Sequence, residues 1–194
     1  MEKLDFVDFS GEDNTVRIML DNQYYLCKPV NETKYIAPRL KSADITIDQL
    51  ARKLSGGYSC RPGLLAGGCK AENWTGQQCF FLDVDKESCM TVQTALKISE
   101  REDITPSIIY PSFRFTPSCQ RFRMVFSVPG IIRDREVRDR IQRKLMDIFH
   151  CDWRTFARER VFFGGNACFW VDCEARLNVK KFLGGNADEF KDAG

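Results

Sequence analysis

The sequence predicts an α+β domain in which strands and helices alternate with hairpin-like pieces, and three stretches carry that reading. Residues 79–82 are four apolar residues in a row, Cys-Phe-Phe-Leu, preceded by Gly76 and polar residues, which is the pattern of a buried strand. Residues 121–128 alternate, with Arg121, Arg123 and Val125 on one side and Phe122, Met124 and Phe126 on the other, the period of a second strand. Residues 133–149 repeat Val137, Ile141, Leu145 and Ile148 at helical spacing between charged residues, an amphipathic helix with one buried stripe.

The remaining elements follow in order. Residues 1–45 read as a lead-in to the same domain, with strands at 15–20 and 24–27 and a turn signal, Asp21-Asn22, between them, hence a hairpin. No chemistry is read there. Thr46 and Gln49 form a capping box, Ile47, Leu50, Ala51 and Leu54 give one apolar face, and Gly56-Gly57 ends that helix. Residues 58–78 read as a long polar and glycine-rich loop, of the kind that often carries function. Within it Trp74 is a candidate for stacking on a nucleobase, with packing beneath the loop as the equal alternative. A short helix at 91–100, a strand at 107–110 and a loop at 111–120 come next. Past the long helix, residues 158–165 read as a strand closed by Gly164-Gly165, and 167–171 as another.

At 194 residues the chain has length for one domain or two small lobes, and 43% hydrophobic with 29% charged residues is ordinary for a globular protein. No apolar run reaches the roughly 18 residues of a membrane span, and the acidic start is no signal peptide, so a membrane partner is not expected. Nine cysteines, odd in number and without a CxxC, read as reduced thiols of a cytoplasmic protein. Cys60, Cys69 and Cys79 match no common zinc spacing, so zinc is not expected. The net charge of +2 is unevenly spread: residues 114–160 hold twelve Lys/Arg, eleven of them arginine, against six Asp/Glu. Such a zone suits polyanions, although the cations at 133–144 read as the wet face of the helix.

The apolar strand ends in Asp83-Val84-Asp85. Carboxylates at i and i+2 point to the same side of a strand and repel each other unless a cation lies between them. Hard oxygen ligands suit Mg²⁺ or Mn²⁺, and two such ions can clamp both oxygens of a phosphoryl displacement. Removing one charge is therefore expected to leave the metal-free fold intact or more stable. Arg121 and Arg123 place two guanidinium groups on one side of a strand, where phosphate is the natural partner.

The order strand-Asp-x-Asp, Arg-x-Arg strand, helix, then Asp152 eight residues before Arg160 and followed by Gly164-Gly165, resembles the archaeo-eukaryotic primase superfamily. It is most similar to the phage and plasmid branch, whose catalytic domain is often fused to a replicative helicase. The resemblance implies an RRM-like catalytic sheet with a second αβ lobe. It also implies a primase–polymerase domain over residues 46–175, with 176–194 as a tail or the start of a linker. It makes Asp83, Asp85 and Asp152 the catalytic carboxylates that hold two Mg²⁺ or Mn²⁺ ions. Arg121, Arg123, Arg160 and Lys86 become nucleotide-binding residues, and Trp74, Arg114 and Arg158 nucleic-acid-binding ones. The implied partners are an NTP or dNTP, a single-stranded DNA template and a helicase domain or subunit, in a host cytoplasm. The acidic end at 187–192, with no further domain, suggests a fragment of a longer protein.

One departure stands out. The family's middle motif ends in a phosphate-holding histidine, whereas this chain has Arg121-Phe122-Arg123 there and its single histidine, His150, beside Asp152. Arginine holds phosphate without a pH-dependent charge. Two rival readings remain: a nuclease or nicking initiator, which one histidine disfavours, and a non-catalytic nucleotide- or nucleic-acid-binding module of the same fold. Retained, mutually repelling acids argue against the module.

Overall fold

The computed structural model describes residues 7–8, 15–29, 33–85 and 88–184. The chain begins with β1 (Val7–Asp8), β2 (Thr15–Tyr24), a single helical turn α1 (Thr33–Ile36), β3 (Lys41–Thr46) and α2 (Ile47–Ser55). Short strands β4 (Tyr58–Arg61) and β5 (Gly63–Leu65) lead into β6 (Trp74–Val84), then α3 (Val92–Arg101) and β7 (Ile108–Pro111). The long strand β8 (Phe122–Ile132), the long helix α4 (Arg135–Phe149), β9 (Trp170–Val171) and α5 (Val179–Leu183) complete the described chain.

All strand pairs are antiparallel. The larger sheet runs β5-β6-β8-β7-β9, with β1 against the far end of β8, and the smaller runs β3-β2-β4. In β6, Phe80, Leu82 and Val84 pack with Phe122, Met124 and Phe126 against residues of α3, α4 and α5. Its other face sends Cys79 and Phe81 with Tyr110 and Val125 toward α2 and the smaller sheet. Both faces are covered, which is why the apolar run is continuous instead of alternating.

The unit β6-α3-β7-β8-α4, with β8 seated between β6 and β7, is a split β-α-β arrangement of the RRM kind. What would be its closing strand is replaced by capping groups. Past the β5 pairing, β6 carbonyls accept from side chains and a loop amide: Cys79 O from Gln77 Nε2 (2.9 Å), Phe81 O from Gln142 Nε2 (3.1 Å) and Asp83 O from Asp152 N (3.3 Å). These three edge carbonyls are thereby satisfied without a neighbouring strand.

The capping box forms as read, with Thr46 accepting from Gln49 N and Gln49 reaching back to Thr46 N. Elsewhere tertiary contacts overrule local signals. No hairpin turns at Asp21-Asn22: β2 runs through both residues, because Asp21 is buried and paired with Arg39 at 2.8 Å. The expected loop at 58–78 contains β4, β5 and the start of β6. The expected strand at 158–165 is reduced to one bridge, Phe162 to Cys60, and that at 167–171 to β9. Nor is the cationic side of α4 uniformly wet, since Arg138 is 1% exposed. No helix among the described residues is long and apolar enough to cross a membrane.

Candidate functional site

The register of β6 against β8 sets Asp83 directly opposite Arg123 at the end of the larger sheet. Arg123 Nε lies 3.2 Å from Asp83 Oδ1, the geometry of a charge pair more than of an aligned hydrogen bond. Its Nη1 donates to the Phe163 carbonyl at 2.6 Å, and its guanidinium lies 5.7 Å from the Tyr110 ring centroid. Arg123 is 7% exposed. Burial alone would pull its pKa down, but the Asp83 carboxylate and Tyr110 raise it above the usual arginine range, so the charge is held. Two residues along, Arg121 Nε sits 3.0 Å from Asp85 Oδ1. The two arginines thus share the face of the two aspartates, as the alternation requires.

Asp152 reaches the same place from the other side. Its amide meets the Asp83 carbonyl, and its carboxylate caps a 3-10 turn, Trp153–Phe156, accepting from Arg154 N at 2.9 Å and lying 3.2 Å from Arg154 Nε. Arg160 joins the acids: its Nη2 donates to Asp83 Oδ2 at 2.8 Å and stands 3.8 Å from Asp152 Oδ2. The negative charge here is felt by Cys151, whose thiol is pushed up by burial and then by Asp83 and Asp152. Carboxylate repulsion is therefore relieved by arginines: Arg121 at Asp85, and Arg123 and Arg160 at Asp83.

Three hollows meet at these acids. Arg114, Arg121, Arg123 and Lys28 line one with Asp83 and Asp85. A larger groove of about 660 Å³ is lined by Asp83, Arg123 and Arg160 together with Phe156, Phe163 and Trp153. The third lies between Asp85, His150 and Asp152. Lys28, exposed and 5.9 Å from the Phe163 ring centroid, was not legible as a site residue because its surroundings in sequence carry no motif. Its pKa is lowered by burial and then by Arg114 and Arg123, which marks a surplus of positive charge at this mouth.

The other expected residues are placed less uniformly. Arg114 lines the cationic hollow, and Lys86 lies outside the described residues. Trp74 does not serve as an open stacking surface: it is 4% exposed, packed in the protein at the start of β6. Arg158 is turned toward α4, where it pairs with Asp139, which leaves its charge already engaged. Cys60 and Cys79 are buried core residues and Cys69 is exposed.

The donor set suits hard divalent cations, since Asp83, Asp85 and Asp152 offer only carboxylate oxygens and Asp85 is 43% exposed. Among the described residues, no group of three or more His, Cys, Asp or Glu side chains is gathered tightly enough to be a metal cluster by itself. The carboxylates here are closed on arginines.

The fold is similar to that of a solved archaeo-eukaryotic primase domain. Among solved structures, the archaeo-eukaryotic primase domain of the primase–polymerase from cyanophage S-2L superposes with a TM-score of 0.51, covering 91% of this chain and 89% of that domain. At 13% sequence identity this is a likeness of fold. No family model matches the sequence, and no curated protein matches it.

Proposed function

We propose that the chain is a metal-dependent nucleotidyltransferase, a primase–polymerase that makes or extends strands on a single-stranded DNA template. The observation that carries this reading is the convergence of Asp83, Asp85 and Asp152 with Arg121, Arg123 and Arg160 on a primase fold. Asp83 and Asp85, with Asp152 beside them, would hold Mg²⁺ or Mn²⁺, which supplies charge neutralisation at the reacting phosphate and a lowered pKa for the attacking hydroxyl. The arginines would exchange their carboxylate partners for the triphosphate oxygens, orienting the nucleotide and stabilising charge that develops on it. Lys28 and Arg114 widen that cationic mouth. Because Arg121 and Arg123 occupy the position of the family's histidine, phosphate binding would keep its strength across neutral pH.

The second reading, a non-catalytic binding module, draws on one specific observation: every carboxylate of the site is already paired with arginine. Incubation with labelled nucleotides, Mn²⁺ or Mg²⁺ and single-stranded DNA, with and without a primer, separates the two. Templated product in either format supports the enzyme. Metal-dependent nucleotide binding without product, repeated over templates and nucleotides, would leave the module.

A further inference from the structure

Trp153 is the most exposed aromatic among the described residues, and the proposed chemistry leaves it unused. Its side chain is 75% exposed, yet it is not loosely hung. It opens the 3-10 turn that Asp152 caps, and Thr155 donates twice to the Asp152 carbonyl, from N at 3.0 Å and Oγ1 at 2.8 Å. The end of the turn is fixed by buried Arg138, which donates to the Phe156 carbonyl at 2.7 Å. An indole carried on so well-tied a backbone is presented to solvent at a set position.

That position is a ridge. Trp153 lines the larger groove with Asp83, Arg123 and Arg160, and it also lines the hollow of Asp85, His150 and Asp152. The larger groove has a mixed lining: the cations Lys28, Arg123, Arg154 and Arg160, the acids Asp83 and Glu159, and rings and apolar side chains including Phe156, Val161 and Phe163 beside Trp153. A ligand that fits such a lining offers anionic oxygens to the cations and a flat face to the rings. Its size falls in the range of small-molecule sites.

We infer that Trp153 is the stacking platform for the base of the nucleotide whose phosphates the arginines hold. The inference rests on the nucleotidyltransferase reading and adds a base-binding contact to it. Every base offers a π face, so the contact strengthens binding of all four nucleotides without choosing among them.

The test compares the full chain with Trp153→Ala and Trp153→Phe by calorimetric titration with ATP, dTTP and inorganic tripolyphosphate in Mn²⁺ buffer. Trp153→Ala should weaken both nucleotides about tenfold, within the range of one base–aromatic stack, and leave tripolyphosphate unchanged. Trp153→Phe should recover most of the affinity, since it restores a ring. Equal nucleotide affinity in wild type and Trp153→Ala would overturn the platform while leaving the nucleotidyltransferase reading intact. An equal loss for tripolyphosphate would also overturn it, by making the residue part of the phosphate site. A wild-type chain that binds neither nucleotide nor tripolyphosphate would overturn the underlying reading and the platform together.

Discussion

Asp83 pairs with Arg123 and Arg160 and is the more buried of the two strand carboxylates, whereas Asp85 is 43% exposed, and that difference in burial separates their variants. Asp83 is 18% exposed, and Arg123 depends on it for its counter-charge. Asp83→Asn should therefore abolish transfer and also destabilise the fold by about 2–3 kcal/mol, below the usual cost of breaking a fully buried pair. That corresponds to a melting temperature lower by roughly 5–10 °C. Asp85→Asn should abolish transfer with a stability change under about 1 kcal/mol, because its pair with Arg121 is half in water. Thermal melts alongside the assay check both. Given these ion pairs, the expectation that losing a charge leaves the metal-free fold intact or more stable is kept for Asp85 and replaced for Asp83. Lys28 offers the opposite sign. Burial, Arg114 and Arg123 disfavour its charged form. Its folded pKa is lower than its unfolded one, so between the two, just below 10.5, the unfolded chain binds more protons and stability rises with pH. Lys28→Ala should remove that alkaline rise, leave the empty protein no less stable and weaken tripolyphosphate binding. A loss of stability with unchanged tripolyphosphate affinity would count against it.

At the scale of elements, the legible parts were those written in local pattern. The capping box of α2, the stripe of α4 and the carboxylate end of β6 all carry their signals within a few residues, so periodicity finds them. The parts that misled depend on distant partners. Asp21-Asn22 spells a turn until Arg39 arrives, and 158–165 spells a strand although β6 has its carbonyls met by Gln142 and Asp152. Gly164-Gly165 is visible in sequence, but its reason is not. A side chain at Gly165 would meet the Pro111 carbonyl at 2.1 Å and one at Gly164 the Gly57 backbone at 2.6 Å, so both glycines serve close backbone approach. Arg138 hid for the same cause: on α4 it reads as one more surface cation. Buried, with its pKa pulled down to about 10 chiefly by desolvation, it donates to Gln77 Oε1 at 3.0 Å and to the Phe156 carbonyl. Arg138→Met should strand both acceptors at a cost of about 2–4 kcal/mol. Hydrogen exchange should show faster opening of 153–157 than in wild type. Unchanged exchange there would mean that the turn is held by Asp152 alone.

Across the whole molecule, four separate segments deliver charge to one point: β6 its aspartates, β8 two arginines, the stretch after α4 Asp152 and Arg160, and the chain after β2 Lys28. The arrangement is neutral enough to fold without ligands because anions and cations close on each other. On the proposed function, the same closure would make metal and arginine competitors for Asp83. Arg160 is the member to test, since it is less buried than Arg123 and bridges Asp83 toward Asp152. Removing it deletes a cation that would repel a metal ion and frees Asp83 Oδ2, yet on the proposed function it also deletes a phosphate ligand. Arg160→Ala should therefore bind Mn²⁺ more tightly than wild type when no nucleotide is present, by roughly three- to tenfold on the scale of one partly screened charge. The same variant should bind tripolyphosphate more weakly by a similar factor. Paramagnetic relaxation titrates the first and calorimetry the second. Tighter Mn²⁺ with unaltered tripolyphosphate would make Arg160 only a counter-ion that folds the empty site. No change in Mn²⁺ affinity would mean that the metal does not draw on Asp83, and the metal-holding role of that carboxylate would fall with it.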